Sequence, residues 1–296
     1  MLGIDGGRAD GAKLRRRAAT PCVRAARGIL ARKPVRSGRS GVTFGFDQAG
    51  LPWTEGRLYP PFPHVYREVE DMVVGFEARA ERVAPFLPEG VVPSGDPVAC
   101  QAKFRWTPFS VHGPYHEAYV TATVRHAGED YRFLLMAYVD NDSAFAAGRE
   151  LWGAPKKMAR MTRSWGETGG FHTEGMRATV ERPAQQTLMQ LGMTIDAPLP
   201  EPEAPGLPTL LLKLVPDADG ATPVLAQLVR IDGHARICRG ADGTPMLFTG
   251  RPSLSFPAMS ASDPLYLLRP ERLTGASFAR VDFEHGPGRV VHDYLA

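Results

Sequence analysis

A chain of 296 residues that carries 31 glycines and 27 prolines has little room for long helices. Each glycine or proline inside a helix costs about 1 to 3 kcal/mol relative to alanine. The apolar residues fall instead into short runs, several of them alternating, separated by Gly or Pro clusters. Strands are expected at Pro97–Trp106, Ala118–His126, Tyr131–Asp140, Met158–Trp165, Phe171–Glu181, Leu207–Val215, Val224–Ile231 and Phe278–Glu284. Turn signals join most of them, which predicts a mainly β (α+β) fold with antiparallel pairing. Two short helices are expected. One is capped by Asn141 or Asp142, runs through "SAFAAGRE" and is stopped by Gly153 and Pro155; the other lies around Ala184–Leu191. No period of 20 to 50 residues marks a repeat architecture.

With 43% hydrophobic residues the chain can bury a full core, and it contains no apolar run of about 18 residues that would span a bilayer. The net charge of +3 is unevenly spread. Residues 1 to 40 hold 11 Arg or Lys against Asp5 and Asp10, a net of +9, so the remainder sums to −6. Residues 1 to 45 therefore read as a basic, disordered or mis-started extension before a domain at 46 to 296, and they lack the apolar core of a signal peptide. The body has no interleaving of basic and aromatic residues, so no nucleic-acid partner and no membrane partner are expected. Cys22, Cys100 and Cys238 are widely spaced and form neither a metal motif nor an even disulfide framework. A cytoplasmic, reducing location is expected.

Several motifs are missing. The chain has no GxGxxG, Walker loop, GxSxG or HExxH, so nucleotide, α/β-hydrolase and zincin chemistry lack their usual support. His112 and His116 have the i, i+4 spacing of helical metal ligands, but Gly113 and Pro114 between them oppose a helix. No metal and no cofactor are expected.

The stretch "GRELWGAPKKMAR" stands out because the chain uses arginine almost exclusively. It has 29 Arg and 6 Lys, and two of the six are the adjacent Lys156 and Lys157. Arginine supplies charge equally well, but only an amine can lose its proton and attack a carbonyl carbon. Such a pair is ordinarily a solvated surface feature. In a strand, however, neighbouring side chains point to opposite faces, so one of the two can enter a pocket while the other points away. Burial among apolar groups, or a second cation nearby, favours the neutral form of a lysine.

The segment "YRFLLMAYVDNDSAFAAGRELWGAPKKMA" resembles the heart of the acetoacetate decarboxylase family. The shared elements are Met136, Tyr138, Asp140-Asn141, Ala144, Gly148-Arg149-Glu150 and Pro155-Lys156-Lys157, with further likeness in "LLKLVPDADG" at 211 to 220 and the C-terminal "RVVHDYLA". The resemblance covers roughly residues 57 to 296. It implies a closed, cone-like antiparallel β-barrel with a few short helices, an apolar cavity and a homo-oligomeric assembly. It further implies that Lys156 forms an imine with substrate, with Lys157 as the neighbour that tunes its pKa, and that Glu117 is an active-site carboxylate. Glu117 lies 39 residues before Lys156, which matches the family's spacing.

Two departures bear on reaction type. Decarboxylating members carry a second glutamate that aligns at Ala102 and an arginine that aligns near Val69. Gln101 and Arg67 lie close by in sequence, although strand alternation turns Gln101 away from the face of residue 102. Arg67, Gln101, Ala102 and Trp152 are therefore the candidate substrate-binding positions. The resemblance implies a lyase acting on a small-molecule keto acid such as pyruvate, with aldolase-dehydratase chemistry expected ahead of acetoacetate decarboxylation. A catalytically silent binding barrel is the reading of a different class.

Overall fold

The computed structural model describes residues 58–165, 175–202, 206–233 and 235–296. The basic extension expected over 1 to 45 lies outside them. In chain order the strands are β1 His64–Ala78, β2 Val92–Pro93, β3 Val98–Thr107, β4 Phe109–Ser110, β5 Tyr115–His126, β6 Glu129–Val139, β7 Lys156–Met158 and β8 Arg160–Trp165. They continue with β9 Met176–Glu181, β10 Thr187–Pro198, β11 Thr209–Pro216, β12 Pro223–Ile231, β13 Ala235–Ile237, β14 Leu247–Ser255, β15 Arg272–His285 and β16 Arg289–Asp293. The helices are short: α1 Ala80–Val83 and α2 Asp142–Ala147, with a π-turn at Gly148–Trp152. No described helix is long and apolar enough to cross a membrane.

The strands form one sheet in the order β16-β12-β11-β6-β5-β3-β1-β15-β14-β10-β9-β8, with β2, β4, β7 and β13 as side pairings. Its end strands β16 and β8 do not pair, so the sheet is open where a closed barrel was expected. Pairing is antiparallel except along one edge of β6, where β7 and β11 both run parallel to it. That edge can take parallel partners because α2 and the π-turn carry the chain back from the end of β6 to the start of β7.

Several expectations shift. The helix expected at Ala184–Leu191 is strand, since β10 begins at Thr187 and pairs with β9 on one side and β14 on the other. Leu188, Met189, Leu191 and Met193 are all buried there. Packing on both faces and ladders on both edges override local helix propensity. The strand placed at Phe171–Glu181 is seen from Met176; Phe171 lies outside the described residues. The long strand β1 and strand β14 were not anticipated, and β15 starts six residues earlier than expected, at Arg272 rather than Phe278. β1 nonetheless alternates buried and partly exposed positions over much of its length, with an irregularity near Glu68, whose φ is 55°.

Candidate active site

The element between β6 and β7 is built to present a lysine. Asn141 caps α2 by accepting a hydrogen bond from the Ala144 amide at 2.8 Å, as expected of an Asn at that position. The helix then widens into the π-turn, a geometry that concentrates at functional sites. Gly153 ends it in the left-handed region at φ 81°, where a Cβ would fall 2.2 Å from the α-carbon of Lys213. Glycine is thus required both by conformation and by space. Ala154 and Pro155 lead directly into β7, whose register against β6 pairs Ala137 with Lys156 and Tyr138 with Lys157.

Strand alternation then separates the two lysines. Lys156 is buried, and its Nζ lies 2.9 Å from Glu117 Oε1 while donating to the Ala144 carbonyl at 3.0 Å. Lys157 points to the other face, where its Nζ donates to Asp263 Oδ1 at 3.0 Å and to the Ser262 carbonyl. Asp263 is itself 1% exposed and also receives Tyr138 Oη and Arg182. The ammonium of Lys157, expected beside its neighbour as the group that tunes it, is paired with a buried carboxylate on the opposite side of the strand.

Lys156 opens onto a cavity of about 270 Å³. Two rows of inward side chains cross it. In one, Lys156 is linked through Ala137 to Tyr119 and Lys103; in the other, Glu117 pairs with Arg105 and Arg105 with Asp71. Arg105 makes a bidentate contact with Asp71 at 2.6 and 2.7 Å, and its Nη1 lies 3.8 Å from Glu117 Oε2. Burial pushes the Glu117 carboxyl up, but the Lys156 ammonium and then Arg105 outweigh it and hold the group below the usual carboxylate range. Asp71 follows the same pattern: burial raises it, and Arg105 more than reverses the effect. His285, also on the cavity wall, is pushed down to about 4 by burial and by the nearby Arg105 guanidinium. It is therefore neutral near pH 7. Tyr115 is raised by burial and by the Glu117 charge, so it too stays protonated. At Lys156 the site sets a carboxylate beside an amine, with Asp71 held by the Arg105 guanidinium, Lys103 further along the wall and neutral rings around them.

Of the residues singled out from sequence, the structure brings Lys156, Glu117 and Trp152 to this cavity. It does not bring the others. Ala102 is fully buried in the core, opposite Val74 and Val120, facing away from the cavity. Arg67 lies on the surface, paired with Glu284 at 2.7 Å. Gln101 shares the inward parity of β3, but the residues of that strand that reach the cavity are Lys103 and Arg105. Those two, together with His285 and Tyr119, were missed. The available signal was the alternation of "QAKFR", which puts positions 101, 103 and 105 on one face. His112 and His116 do not converge: His112 contacts Ser143 and His64, whereas His116 pairs with Asp140.

A single open sheet folded about a cavity, with a buried lysine set against a buried carboxylate, defines a mainly β protein with a lysine-centred site. The family model described as acetoacetate decarboxylase (ADC) matches residues 50–295, and the chain belongs to that family of enzymes. A curated relative, acetoacetate decarboxylase of Ralstonia nicotianae, is 28% identical over 241 residues, covering 80% of this chain and 92% of its own. Among solved structures, acetoacetate decarboxylase from Legionella pneumophila has a TM-score of 0.73 at 24% identity, covering 88% of this chain and 100% of that one. The enduracididine biosynthesis enzyme MppR, solved with the condensation product of pyruvate and imidazole 4-carboxaldehyde, has a TM-score of 0.68 at 19% identity and covers 88% of this chain and 100% of its own. At these identities the two structures speak to the fold.

Proposed function

We propose that this protein is an imine-forming lyase that acts on a small keto acid through Lys156 and uses the resulting enamine for aldol condensation and dehydration with an aldehyde. The observation that carries the reading is the buried Lys156 amine on the cavity wall with the Glu117 carboxylate at 2.9 Å. Glu117 takes the ammonium proton, and the free amine adds to the keto carbon. Loss of water leaves an imine, the electron sink of the reaction. A proton then leaves the adjacent carbon to give the enamine, which attacks the aldehyde carbonyl carbon. That oxygen is protonated to a hydroxyl, a second proton leaves the carbon that attacked as the hydroxyl departs as water and the conjugated double bond forms, and hydrolysis of the imine restores the lysine. Glu117 is placed to shuttle the protons of these steps.

The cavity's charges favour condensation over loss of CO2. A cation that holds a carboxylate stabilises it before CO2 departs more than afterwards, when the electron pair has moved toward the imine, and so it raises that barrier. Arg105 and Lys103 line the cavity, and strand β3 brings no carboxylate to it. The fold shared with MppR, whose bound molecule is a condensation product, is in keeping with this choice. The second reading, decarboxylation of acetoacetate, is favoured by the name of the Ralstonia relative.

Incubation with pyruvate and borohydride tests the proposal, because reduction turns the imine into a stable secondary amine. The adduct mass is expected on the Lys156 peptide and absent in Lys156→Arg. Labelling that falls on Lys103 or Lys213 instead overturns the site. With pyruvate and an unsaturated aldehyde, a conjugated absorbance is expected to grow; CO2 release from acetoacetate at about 10 per second, an ordinary enzyme turnover, replaces condensation with decarboxylation. Ligand binding without any adduct identifies a catalytically silent binding protein.

A further inference from the structure

Lys103 and Thr121 hold polar groups that no step of the imine chemistry above employs. Both line the cavity. Lys103 sits with its Nζ 5.7 Å from the centroid of the Tyr119 ring and makes no hydrogen bond or ion pair among the described residues. Arg105, two residues on, is by contrast locked to Asp71 by two hydrogen bonds. Thr121 is 4% exposed, and its buried Oγ1 has no hydrogen-bond partner among the described residues. Lys103 is half-buried and has only the Coulombic pull of Asp71, which Arg105 already holds, whereas a hydroxyl without a partner is costly to leave buried; such groups are ordinarily satisfied by something bound. The register places them together: Lys103 faces Tyr119 and Gln101 faces Thr121 across β3 and β5. Lys103 and Thr121 are therefore diagonal neighbours on one face, within reach of a long side chain.

Their place relative to Lys156 is equally defined. The row Lys156, Ala137, Tyr119, Lys103 takes three steps between strands. At about 4.8 Å a step this is roughly 14 Å between the α-carbons of the two lysines. Both side chains line the one cavity, and their own length takes up part of that distance, which leaves room for a chain of a few carbons. We infer that Lys103 and Thr121 form a carboxylate subsite at the end of the cavity away from Lys156, so that the substrate carries its carboxylate several bonds from the carbonyl that reacts. The inference rests on the imine reading only for the identity of the reacting end. An ammonium and a hydroxyl, both donors, match the acceptor-only oxygens of a carboxylate.

The experiment compares 4-oxopentanoate with its neutral counterpart pentan-2-one in borohydride trapping. In the wild-type protein the acid is trapped on Lys156 at lower concentration than the ketone. In Lys103→Met the acid-to-ketone preference is expected to fall by about 10- to 100-fold, the range for a hydrogen bond to a charged group, and Lys103→Arg restores most of it. Thr121→Val, nearly the same shape, gives a smaller loss in the same direction. An unchanged ratio in Lys103→Met overturns the subsite while leaving the imine reading intact. Butanoate, which has no carbonyl, separates the two ideas fully. Its binding, followed by tryptophan fluorescence with Trp152 on the cavity wall, is expected to weaken at least about 10-fold in Lys103→Met. Equal affinity in the two proteins overturns the subsite whether or not any imine forms.

Discussion

Two adjacent ammonium groups meet two buried carboxylates at nearly the same distance, 2.9 Å for Lys156 with Glu117 and 3.0 Å for Lys157 with Asp263, and the first pair lines the cavity while the second lies on the other face of the strand. The second pair is structural. Lys157→Met leaves Asp263 without its nearest cation, and removing one partner of a buried pair costs about 3 to 5 kcal/mol. The low end, about 3 kcal/mol, is expected in urea unfolding, because Arg182 still lies 3.4 Å from the other oxygen. Lys157→Arg keeps the charge and is expected to retain both stability and the Lys156 adduct; loss of the adduct in a well-folded Lys157→Arg protein contradicts the division of roles. Glu117→Gln keeps the shape of the first pair and removes its base. Turnover is expected to fall by about 100- to 10,000-fold, the usual worth of a positioned acid or base, while the adduct still accumulates on long incubation. A turnover within a few-fold of wild type removes Glu117 from the proton transfers. The sequence made Lys156 legible through the scarcity of lysine and the family motif. It could not reveal the role of Lys157, because Asp263 lies 106 residues further on and is joined to it only by the fold.

At the scale of elements, the π-turn explains a glycine of the motif that composition alone does not. Gly148 has ordinary right-handed backbone angles, φ −60° and ψ −45°, so a side chain there is not strained by its backbone. What excludes it is the lysine: a Cβ would lie 2.5 Å from Cδ and 2.6 Å from Cε of Lys156. Gly148→Ala is therefore expected to fold normally, since alanine is the better helix former, and to push the Lys156 stem out of line. Displacing a reacting group by about 1 Å can cost on the order of 100-fold, read as slower trapping with an unchanged circular dichroism spectrum. Trapping at the wild-type rate shows that the stem can relax elsewhere. Strand β3 carries the converse lesson. Its alternation is visible in sequence, but which parity faces the cavity is set by pairing with β1 and β5, and it is Lys103 and Arg105, not Ala102, that occupy the site. The misread helix at Ala184–Leu191 has the same origin: ladders from distant strands decided what "QTLMQLGM" became.

The whole molecule keeps histidines neutral inside the fold, and this makes it sensitive to mild acid. His112 and His285 are both pushed down to about 4, first by burial and then by nearby positive charge, and His64 is lowered too. The hydrogen bonds of His64 and His112 agree with the neutral form. The Pro60 carbonyl and the Ser143 hydroxyl stand at the two ends of a chain through His64 and His112, which accommodates one ring proton on each histidine. An unfolded histidine titrates near 6.5, so below that pH the unfolded state takes up protons that the folded state refuses. The stabilisation is complete above pH 6.5 and is lost as pH falls toward 4, at up to about 1.4 kcal/mol per pH unit for each histidine. The depressed carboxylates Glu117, Asp71 and Asp263 act lower, as pH passes through and below their ordinary range near 4. Urea unfolding at pH 5 is therefore expected to show about 3 to 4 kcal/mol less stability than at pH 7.5 from His112 and His285 together. The double variant His112→Gln, His285→Gln removes both protonation sites, so whatever its stability at pH 7.5, most of the difference between the two pH values is expected to vanish. A double variant as acid-sensitive as the wild type places the proton uptake elsewhere, and equal wild-type stability at the two pH values shows that these histidines are not held neutral by the fold.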